Sequence, residues 1–395
     1  MDKKYTLKFM LTLVFAASAS TCLILSLLFY CHLSSLPEQN DRTQDYAELL
    51  DVIDNRFIGS FDLDEIANVA KRAAVFALDD NWSYFMTPEE YSEFMESSEN
   101  RYQGIGVEVI IDEETEGIRI LYVYRDSGAD IAGLVVGDVI TAVDGESILG
   151  FSIADIRAKL RRPIDDSALL TVLRADGEYH ELTVVYSVVF TDPVSYEMLD
   201  GHIGYIILRN FEAGAADGFI SAANTLIEQG ASAFIFDVRS NNGGRVNEMT
   251  QILDFLLPEG EIFISVNRSG VEQITRSDPD TIELPAVVLV NSFSYSGAEY
   301  FAAMLSEYEY AVTVGEQTTG KNRMQTTIPL SNGGAVHIST GEYLTKNRVS
   351  LFEIGGFTPD HIIPLDENEF ELFRRGELDK SSDPQLMKAV RLLSD

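Results

Sequence analysis

The chain has 395 residues, with 63 acidic against 29 basic side chains and a net charge of −34. A chain of this length can form two or three domains, each with its own core. The acidic excess argues against a basic surface for phosphate backbones, so nucleic-acid binding is not expected. Both cysteines, Cys22 and Cys31, lie near the N-terminus. The rest of the chain therefore contains neither a structural disulfide nor a cysteine-based metal site.

An uncharged apolar segment runs from Phe9 to Cys31 and follows three lysines, Lys3, Lys4 and Lys8. About 20 apolar residues span a bilayer as a helix, and a lysine-rich flank stays in the cytoplasm. We therefore predict a cytoplasmic N-terminus over residues 1–8, a transmembrane anchor over 9–32 and an outward-facing remainder. A cleaved signal peptide is the alternative, because small residues occupy positions 16–20. Cleavage there would leave an apolar new end, which favours the uncleaved anchor.

The segment after the anchor changes from polar to helical patterning. Residues 33–43 are polar and contain a proline, which predicts a linker. Residues 44–103 are predicted to be a helical region, since Leu49, Val52 and Ile53 recur at helical spacing. Thr87 precedes a proline and two acids, which is typical of a helix start.

Residues 104–186 are predicted to form a compact β-rich domain with one helix. Short β-rich runs cover 107–111, 118–123, 139–143, 169–174 and 181–185, with a helical segment at 153–160.

Residues 187–365 alternate between buried strands and helices. Continuous apolar runs, typical of strands buried on both faces, cover 203–208, 233–238 and 287–290. Helical segments cover 215–228, 246–257 and 298–305. This alternation predicts an α/β layered domain. Residues 366–395 are predicted to be a charged helical tail.

The five histidines show no metal-ligand spacing, and the chain has no GxSxG elbow and no phosphate loop. The sequence therefore predicts no metal and no cofactor. A Ser-His-Asp triad has no local signal in its favour.

Three local motifs are candidates for chemistry. The turn 237–244 (DVRSNNGG) follows a buried strand, and its paired glycines can present bare N–H groups. Ser296 lies between a buried strand and a helix, where negative charge is favoured. The run 315–321 (GEQTTGK) ends in Lys321, with Gln325 four residues beyond. Alone, each motif is also typical of an ordinary turn, cap or surface lysine.

Together, the motifs resemble those of the carboxy-terminal processing peptidases, also called tail-specific proteases, over nearly all of the outer chain. The turn at 237–244 is similar to that family's D-L-R-N-N-P-G-G, and 292–299 (SFSYSGAE) to its S-A-S-A-S-E run. Ser296 takes the place of the nucleophile, 25 residues before Lys321. Lys321 matches the general base and Gln325 the residue that orients it. Large side chains, Phe293 and Tyr295, replace small ones of the family.

Residues 104–186 resemble the PDZ domain embedded in that family. Gly104, Ile105, Gly106 and Val107 match the carboxylate-binding loop, followed by the ordered runs 127–134 (SGADIAGL), 137–140 (GDVI) and 143–145 (VDG).

The resemblance implies a crotonase-like layered peptidase core with an inserted PDZ domain. It also implies a serine endopeptidase with a Ser296–Lys321 dyad that cleaves protein substrates near their C-termini. Backbone N–H groups of the oxyanion hole are expected at Gly243, Gly244 and Gly297, where glycine replaces the family's alanine. A lysine acts as a base only when neutral, a form that burial favours. Expected partners are proteins or peptides with free C-termini, bound by strand addition at the PDZ edge, and the membrane.

Two other function classes remain open from the sequence. A catalytically inactive protein could use the PDZ domain alone for binding, although Ser296, Lys321 and Gln325 argue against this. A crotonase-like acyl-transforming enzyme would share the core, but neither the PDZ insertion nor the serine-to-lysine spacing fits it. The sequence does not identify the physiological substrate, the cleavage preference, an activating adaptor or a homo-oligomeric state.

Overall fold

The computed structural model describes residues 37–394, with side chains from residue 43 onward. The predicted anchor at 9–32 lies outside the described residues. Among the residues described, no helix is both long and apolar enough to cross a membrane. The chain divides into two compact units, one that ends at Ala73 and one that begins at Ala74.

The described part of the first unit is helical, as predicted. Helix α1 covers Pro37–Arg56 and α2 covers Leu63–Phe76, which runs on into the second unit. Residues 37–43, assigned to a linker from the sequence, already belong to α1. Between the helices, Phe57 and Phe61 meet edge to face with ring centroids 6.0 Å apart.

A short strand interrupts the predicted helical region at the start of the second unit. Strand β1 is Tyr84–Met86 and helix α3 is Pro88–Ser98. Thr87 caps α3 through a capping box with Glu90, which confirms the predicted helix start. The strand forms because Phe85 and Met86 are buried against a partner strand far along the chain, which helical spacing cannot reveal.

The β-rich domain contains the five predicted strands and the predicted helix, and it also has three further strands and a second short helix that the sequence analysis did not predict. Its elements are β2 (Arg101–Gly104), β3 (Val107–Ile111), β4 (Ile118–Val123), α4 (Gly128–Ala132), β5 (Val139–Val143), β6 (Glu146–Ser147), α5 (Ile153–Lys159), β7 (Ser167–Leu173), β8 (Tyr179–Val185) and β9 (Ser187–Phe190). Five strands lie in the order β3-β4-β5-β7-β8, so β3 is an edge strand. Strands β2 and β9 pair with each other where the chain enters and leaves this domain.

The layered domain is built on a six-stranded sheet. The elements from β10 onward are β10 (Val194–Leu199), β11 (Ile203–Leu208), α6 (Ala215–Glu228), β12 (Ala233–Asp237), α7 (Val246–Leu256), β13 (Gly260–Asn267), β14 (Glu272–Ser277), β15 (Ala286–Val290), α8 (Gly297–Glu307), β16 (Ala311–Gly315), β17 (Arg323–Pro329), β18 (Ala335–Leu344) and β19 (His361–Ile362). The order is β10-β11-β12-β15-β16-β19, with β11 to β19 parallel and β10 antiparallel. The predicted strands and helices of this domain are confirmed to within two residues at their ends.

Helices cover both faces of this sheet, which explains its continuous apolar strands. One face packs against α6, α7 and α8 through a core that includes Phe219, Phe236 and Phe301. The other face packs against the final helix, α10 (Pro384–Ser394), through Leu386 and Ala389. Helix α9 (Glu367–Arg374) precedes it, so the predicted tail is two helices, the second docked on the sheet.

A second sheet of antiparallel strands joins distant parts of the chain. Its order is β1-β18-β13-β14, and β17 also pairs with β18. Parallel strands place their C-terminal ends at one edge of the main sheet, where ligand sites of α/β folds form. The loops after β12, β15 and β16 therefore converge, and the second sheet continues from the last of them.

Candidate active site

Ser296 occupies a sharp turn between β15 and α8. Its backbone has φ 58° and ψ −122°, a conformation that side chains other than glycine rarely adopt and that is often stored at functional sites. The preceding residues fix this turn. Ser294 is fully buried, donates its hydroxyl to the Val238 carbonyl at 2.8 Å and accepts the Asn291 N–H at 3.0 Å. Ser294 is therefore a structural residue, and Ser296 is the serine presented at the start of α8.

The glycine turn after β12 lies directly beside Ser296. Gly243 has φ 86°, and a Cβ there would lie 2.8 Å from the Ser296 Cβ and 2.8 Å from the Gly297 nitrogen. Gly244 has φ 147°, and a Cβ there would lie 2.5 Å from the Phe211 carbonyl carbon. Only glycine fits at either position, both because of the backbone conformation and because of the neighbouring atoms.

The three predicted oxyanion donors are not equivalent in this structure. The Gly243 N–H donates to the Asn241 side-chain oxygen at 2.8 Å and is therefore engaged within the turn. The N–H groups of Gly244 and Gly297 donate to no other atom in the described part of the chain. These two N–H groups can serve an oxyanion near Ser296, and Gly243 supports the turn that carries one of them.

A buried carboxylate connects the Ser296 turn with the Lys321 loop. Glu299, in the first turn of α8, is fully buried and accepts the Ser296 N–H at 2.9 Å and the Lys321 N–H at 2.6 Å. It also accepts the Gly320 N–H at 2.8 Å and the Thr318 hydroxyl at 2.7 Å. Burial raises the pKa of Glu299, and these four hydrogen bonds oppose that rise. Two predicted site residues 25 positions apart thus share one anchor.

The Lys321 side chain lies in a largely aromatic environment. Its Nζ is 4.5 Å from the centroid of the Trp82 ring and 5.8 Å from that of Tyr295. Burial lowers the pKa of Lys321 to about 8, against the opposing charges of Glu299 and Asp80. A pKa near 8 leaves a useful neutral fraction at physiological pH, which a general base requires.

The structure does not bring Gln325 to Lys321. Gln325 lies on β17 and donates its amide to the Ser339 hydroxyl on β18 at 3.0 Å. Nor does the Lys321 Nζ make a hydrogen bond to Ser296 within residues 43–394. The predicted dyad and its orienting amide are therefore neighbours in the fold but are not hydrogen-bonded to one another.

Two aromatic residues that sequence analysis did not select complete the surroundings of Ser296. Tyr343, on β18, has a buried hydroxyl that donates to the Lys321 carbonyl and lies beside the Ser296 side chain. Burial raises the pKa of Tyr343, so it stays protonated. Trp82 is the second. Neither residue belongs to a recognisable sequence motif. Both reach the site only because the strands of the second sheet pair with one another.

A small cavity of about 20 Å³ opens beside Ser296 and Gly297. Its lining is mainly apolar, with contributions from Val246, Met249, Phe263, Tyr300 and Tyr343. Its size is that of about one water molecule.

A buried ionic cluster supports the base of the glycine turn. Arg239 is 7 % exposed and pairs with Asp237 at 2.6 Å and with Asp383 at 2.8 Å. Gln385 accepts a further hydrogen bond from Arg239 at 3.0 Å. Because charges this deeply buried are costly unless paired, Asp383, just before α10, and Gln385, in its first turn, are part of the support for the glycine turn.

The predicted carboxylate-binding loop of the β-rich domain links β2 and β3. The Ile105 carbonyl accepts from the Ala129 N–H at 2.7 Å, and the Gly106 carbonyl accepts from the Tyr124 N–H at 2.9 Å. The N–H groups of Ile105 and Gly106 donate to no other atom among the described residues. The carbonyls thus point into the domain, which leaves these donors beside the free edge of β3.

No three His, Cys, Asp or Glu side chains cluster as metal ligands would in the part of the chain that the structure describes.

Comparison with known proteins agrees with this geometry. Residues 202–363 match the model of peptidase family S41, and residues 119–174 match a PDZ domain. The carboxyl-terminal-processing protease of Synechocystis sp. is 30% identical over 323 residues, which cover 80% of this chain and 74% of that protein.

Solved structures show the same fold at lower identity. A putative S41 protease from Bacteroides fragilis aligns with a TM-score of 0.61 and 17% identity, over 86% of this chain and 92% of that one. A photosystem II D1 C-terminal processing protease aligns with a TM-score of 0.50 and 23% identity, over 89% and 91%.

The S41 match spans both the serine turn and the glycine turn, and the PDZ match lies within the β-rich domain. The chain belongs to peptidase family S41 and is a serine peptidase of the carboxyl-terminal-processing type, with a PDZ domain inserted before its layered α/β core.

Proposed function

We propose that the protein is a membrane-anchored endopeptidase that cleaves protein substrates near their C-termini, with Ser296 as nucleophile and Lys321 as general base. The observation that carries this proposal is the Glu299 carboxylate, which binds the backbone N–H groups of both residues. One buried group therefore fixes the distance between the two backbones, and only the lysine side chain must move to make the pair.

The reaction follows from these positions. The neutral amine of Lys321 accepts the proton of the Ser296 hydroxyl as the oxygen attacks the scissile carbonyl. The N–H groups of Gly244 and Gly297 stabilise the oxyanion, a contribution of about 2.7–4 kcal/mol for each donor in comparable enzymes. The Lys321 ammonium then gives its proton to the leaving amine. Water then hydrolyses the acyl-enzyme by the same route. Gln325 orients the Lys321 amine after the Gln325 side chain has left Ser339.

The PDZ domain supplies the preference for C-terminal ends in this proposal. A substrate tail adds as a strand to the free edge of β3, and its carboxylate meets the N–H groups of the loop from Gly104 to Val107. Such a site requires a free carboxylate, because an amide end carries no charge for the backbone dipoles to stabilise. A carboxyl-terminal-processing protease among the relatives supports the same assignment.

The location is also part of the proposal. The uncharged segment from Phe9 to Cys31 and the lysines before it support a single-pass anchor with the peptidase outside the cytoplasm. Protease protection in intact cells tests it: externally added protease should digest the PDZ and core domains and spare residues 1–8.

The test of the enzymatic proposal uses the full-length protein with an unfolded protein substrate, prepared with a free or an amidated C-terminus. The free form should be cut near its end, the amidated form more slowly, and neither by the Ser296→Ala variant. Equal rates for both forms would remove the role of the PDZ loop. Cleavage by Ser296→Ala would remove the nucleophile.

A further inference from the structure

The Lys321 amine lies against two adjoining aromatic rings. Its Nζ lies 4.5 Å from the Trp82 centroid and 5.8 Å from the Tyr295 centroid, and the two rings are 5.8 Å apart with planes tilted by 33°. Trp82 is the one tryptophan of the chain. Tyr295 immediately precedes the predicted nucleophile, so this aromatic cage, formed by Trp82 and Tyr295, borders the reaction centre directly.

Trp82 is held in this position by the fold. Asp80 pairs with Arg323 at 3.1 Å, at the start of β17. The Ser83 hydroxyl accepts the Ser339 N–H on β18 at 3.0 Å. The residues on both sides of Trp82 are therefore tied to the two strands that follow the Lys321 loop. Because these ties involve residues 80–83 and the second sheet alone, the ring stays over Lys321 without help from the catalytic groups.

The cage and the catalytic role place opposite demands on Lys321. An aromatic face attracts the ammonium form through the ring quadrupole and offers little to the neutral amine. Catalysis requires the neutral amine at the Ser296 hydroxyl. In the described part of the chain, Nζ makes no hydrogen bond to Ser296, so it occupies the cage and not the base position.

We propose that Trp82 and Tyr295 hold protonated Lys321 apart from Ser296, which makes Trp82 a positioning residue for the general base. This inference rests on the proposed Ser296–Lys321 chemistry. Loss of the proton releases the amine from the cage, and the neutral side chain then reaches Ser296. The fraction of active enzyme depends on how the Lys321 side chain distributes between the aromatic cage and the position beside Ser296.

Other charged groups also act on Lys321 and must be kept constant in a test. The carboxylates of Glu299 and Asp80 favour its ammonium, and His337 on β18 is close enough for the Lys321 charge to lower the histidine pKa, together with burial, to about 4. Arg323 is paired with Asp80. Substitutions at Trp82 leave all of these charges in place.

Tryptophan emission tests the cage without any substrate. With one tryptophan in the chain, the full-length protein reports Trp82 alone. Its emission should change in a single titration near pH 8, and Lys321→Met should lack that transition. A pH-independent emission in the wild type, or the same transition in Lys321→Met, would overturn the cage.

Kinetics test the positioning role. Trp82→Leu keeps the site apolar but removes the aromatic face. We expect kcat/KM at pH 7 to rise on the order of two- to thirtyfold, with the rising limb of its pH profile moved to lower pH, because the ammonium loses a stabilising contact. Trp82→Phe should lie between wild type and Trp82→Leu. The control Tyr179→Leu, at an exposed tyrosine of the PDZ domain, should change neither quantity.

A lower kcat/KM in folded Trp82→Leu, with the limb unmoved, would overturn the proposal. If circular dichroism shows that this variant does not fold, Tyr295→Leu removes the other ring and keeps Trp82 as the reporter, with the same expected directions. Persistent cleavage by Lys321→Met would refute the proposed base, whereas the emission titration would still decide whether the cage exists.

Discussion

The nucleophile turn and the base loop of this site are held in different ways. At the nucleophile turn, the Ser294 hydroxyl donates to the Val238 carbonyl and accepts the Asn291 N–H, and Glu299 accepts the Ser296 N–H. At the base loop, the backbone of Lys321 is anchored equally well, but its side chain rests on aromatic faces and Gln325 bonds elsewhere. In the proposed mechanism, the nucleophile and the oxyanion turn are therefore preset, whereas a side-chain movement brings the base into place.

The largest expected effect is the loss of activity when either Ser296 or Lys321 is replaced. Ser296→Ala and Lys321→Ala should each lower kcat/KM by roughly 10³-fold or more, and the double variant should lose no more than either alone, because the two act as a unit. Peptide cleavage by purified full-length variants measures this. Ser294→Ala is the matched control: it removes buried hydrogen bonds and should cost about 1–3 kcal/mol of folding stability with the chemistry retained. Full activity in Ser296→Ala with none in a folded Ser294→Ala would show that the wrong serine was assigned.

A substitution at Gly243 tests whether the oxyanion turn is rigid. Gly243→Ala adds a Cβ 2.8 Å from the Ser296 Cβ, so the turn must shift and kcat should fall by about 10²–10³-fold. Gly270→Ala is a matched control, since its φ of 74° imposes similar backbone strain but its Cβ would meet no atom within 4 Å. We expect that control to lose about 1 kcal/mol of stability and no activity. Equal activity of the two variants would argue against a rigid turn.

The base can be followed through the pH dependence of kcat/KM. Burial lowers the pKa of Lys321 to about 8, so the rate should rise about tenfold per pH unit below 8 and level off above it. Asp80→Asn removes a carboxylate that favours the ammonium, which should move this limb to lower pH and raise the rate at pH 7 a few-fold. Asp176→Asn, on the PDZ surface, is the control. If kcat/KM does not change with pH in this range and Lys321→Met still cleaves the substrate, a group other than Lys321 activates Ser296.

The smallest expected effect concerns stability. The pKa of Lys321 is about 8 in the folded chain, against an ordinary lysine value of 10.5. The unfolded state therefore binds more protons between these values, and stability rises with pH across that window. Below pH 8 the buried ammonium destabilises the fold, and Lys321→Met should be more stable by roughly 1–3 kcal/mol, a gain reduced by the lost aromatic contacts. Urea unfolding at pH 7 and pH 10.5 measures this. The gain should fade at the higher pH, and a gain independent of pH would contradict the assigned pKa.

Much of this architecture follows from patterns within single segments. The apolar runs at 203–208 and 233–238 predict buried strands because a parallel sheet covered on both faces tolerates few polar residues. The approximate positions of Ser296 and Lys321 can be predicted in the same way. Each lies in the loop that follows a strand of the six-stranded sheet, and the C-terminal ends of these strands face the same edge of that sheet.

The rest depends on contacts between distant segments. Trp82 and Tyr343 carry no motif, and they reach Lys321 through the pairing of β1, β17 and β18. The Gly243 N–H appeared available from the sequence but is taken by Asn241, which is a side-chain choice that spacing does not specify. The hydrogen bond of Gln325 with Ser339 is a similar case, because the partner lies on another strand and the sequence pattern does not indicate it.

The buried pair between Arg239 and Asp383 has a consequence for biosynthesis. The two residues are separated by 144 positions, and until Asp383 and Gln385 have been made, Arg239 lacks two of the partners that compensate its burial. In a growing chain, Ser296, Lys321 and the glycine turn are therefore synthesised well before the residues that support that turn. Because domains form as the chain emerges, from the N-terminal side first, the proteolytic centre matures last. The order of synthesis thus delays peptide-bond cleavage until α10 has docked on the sheet.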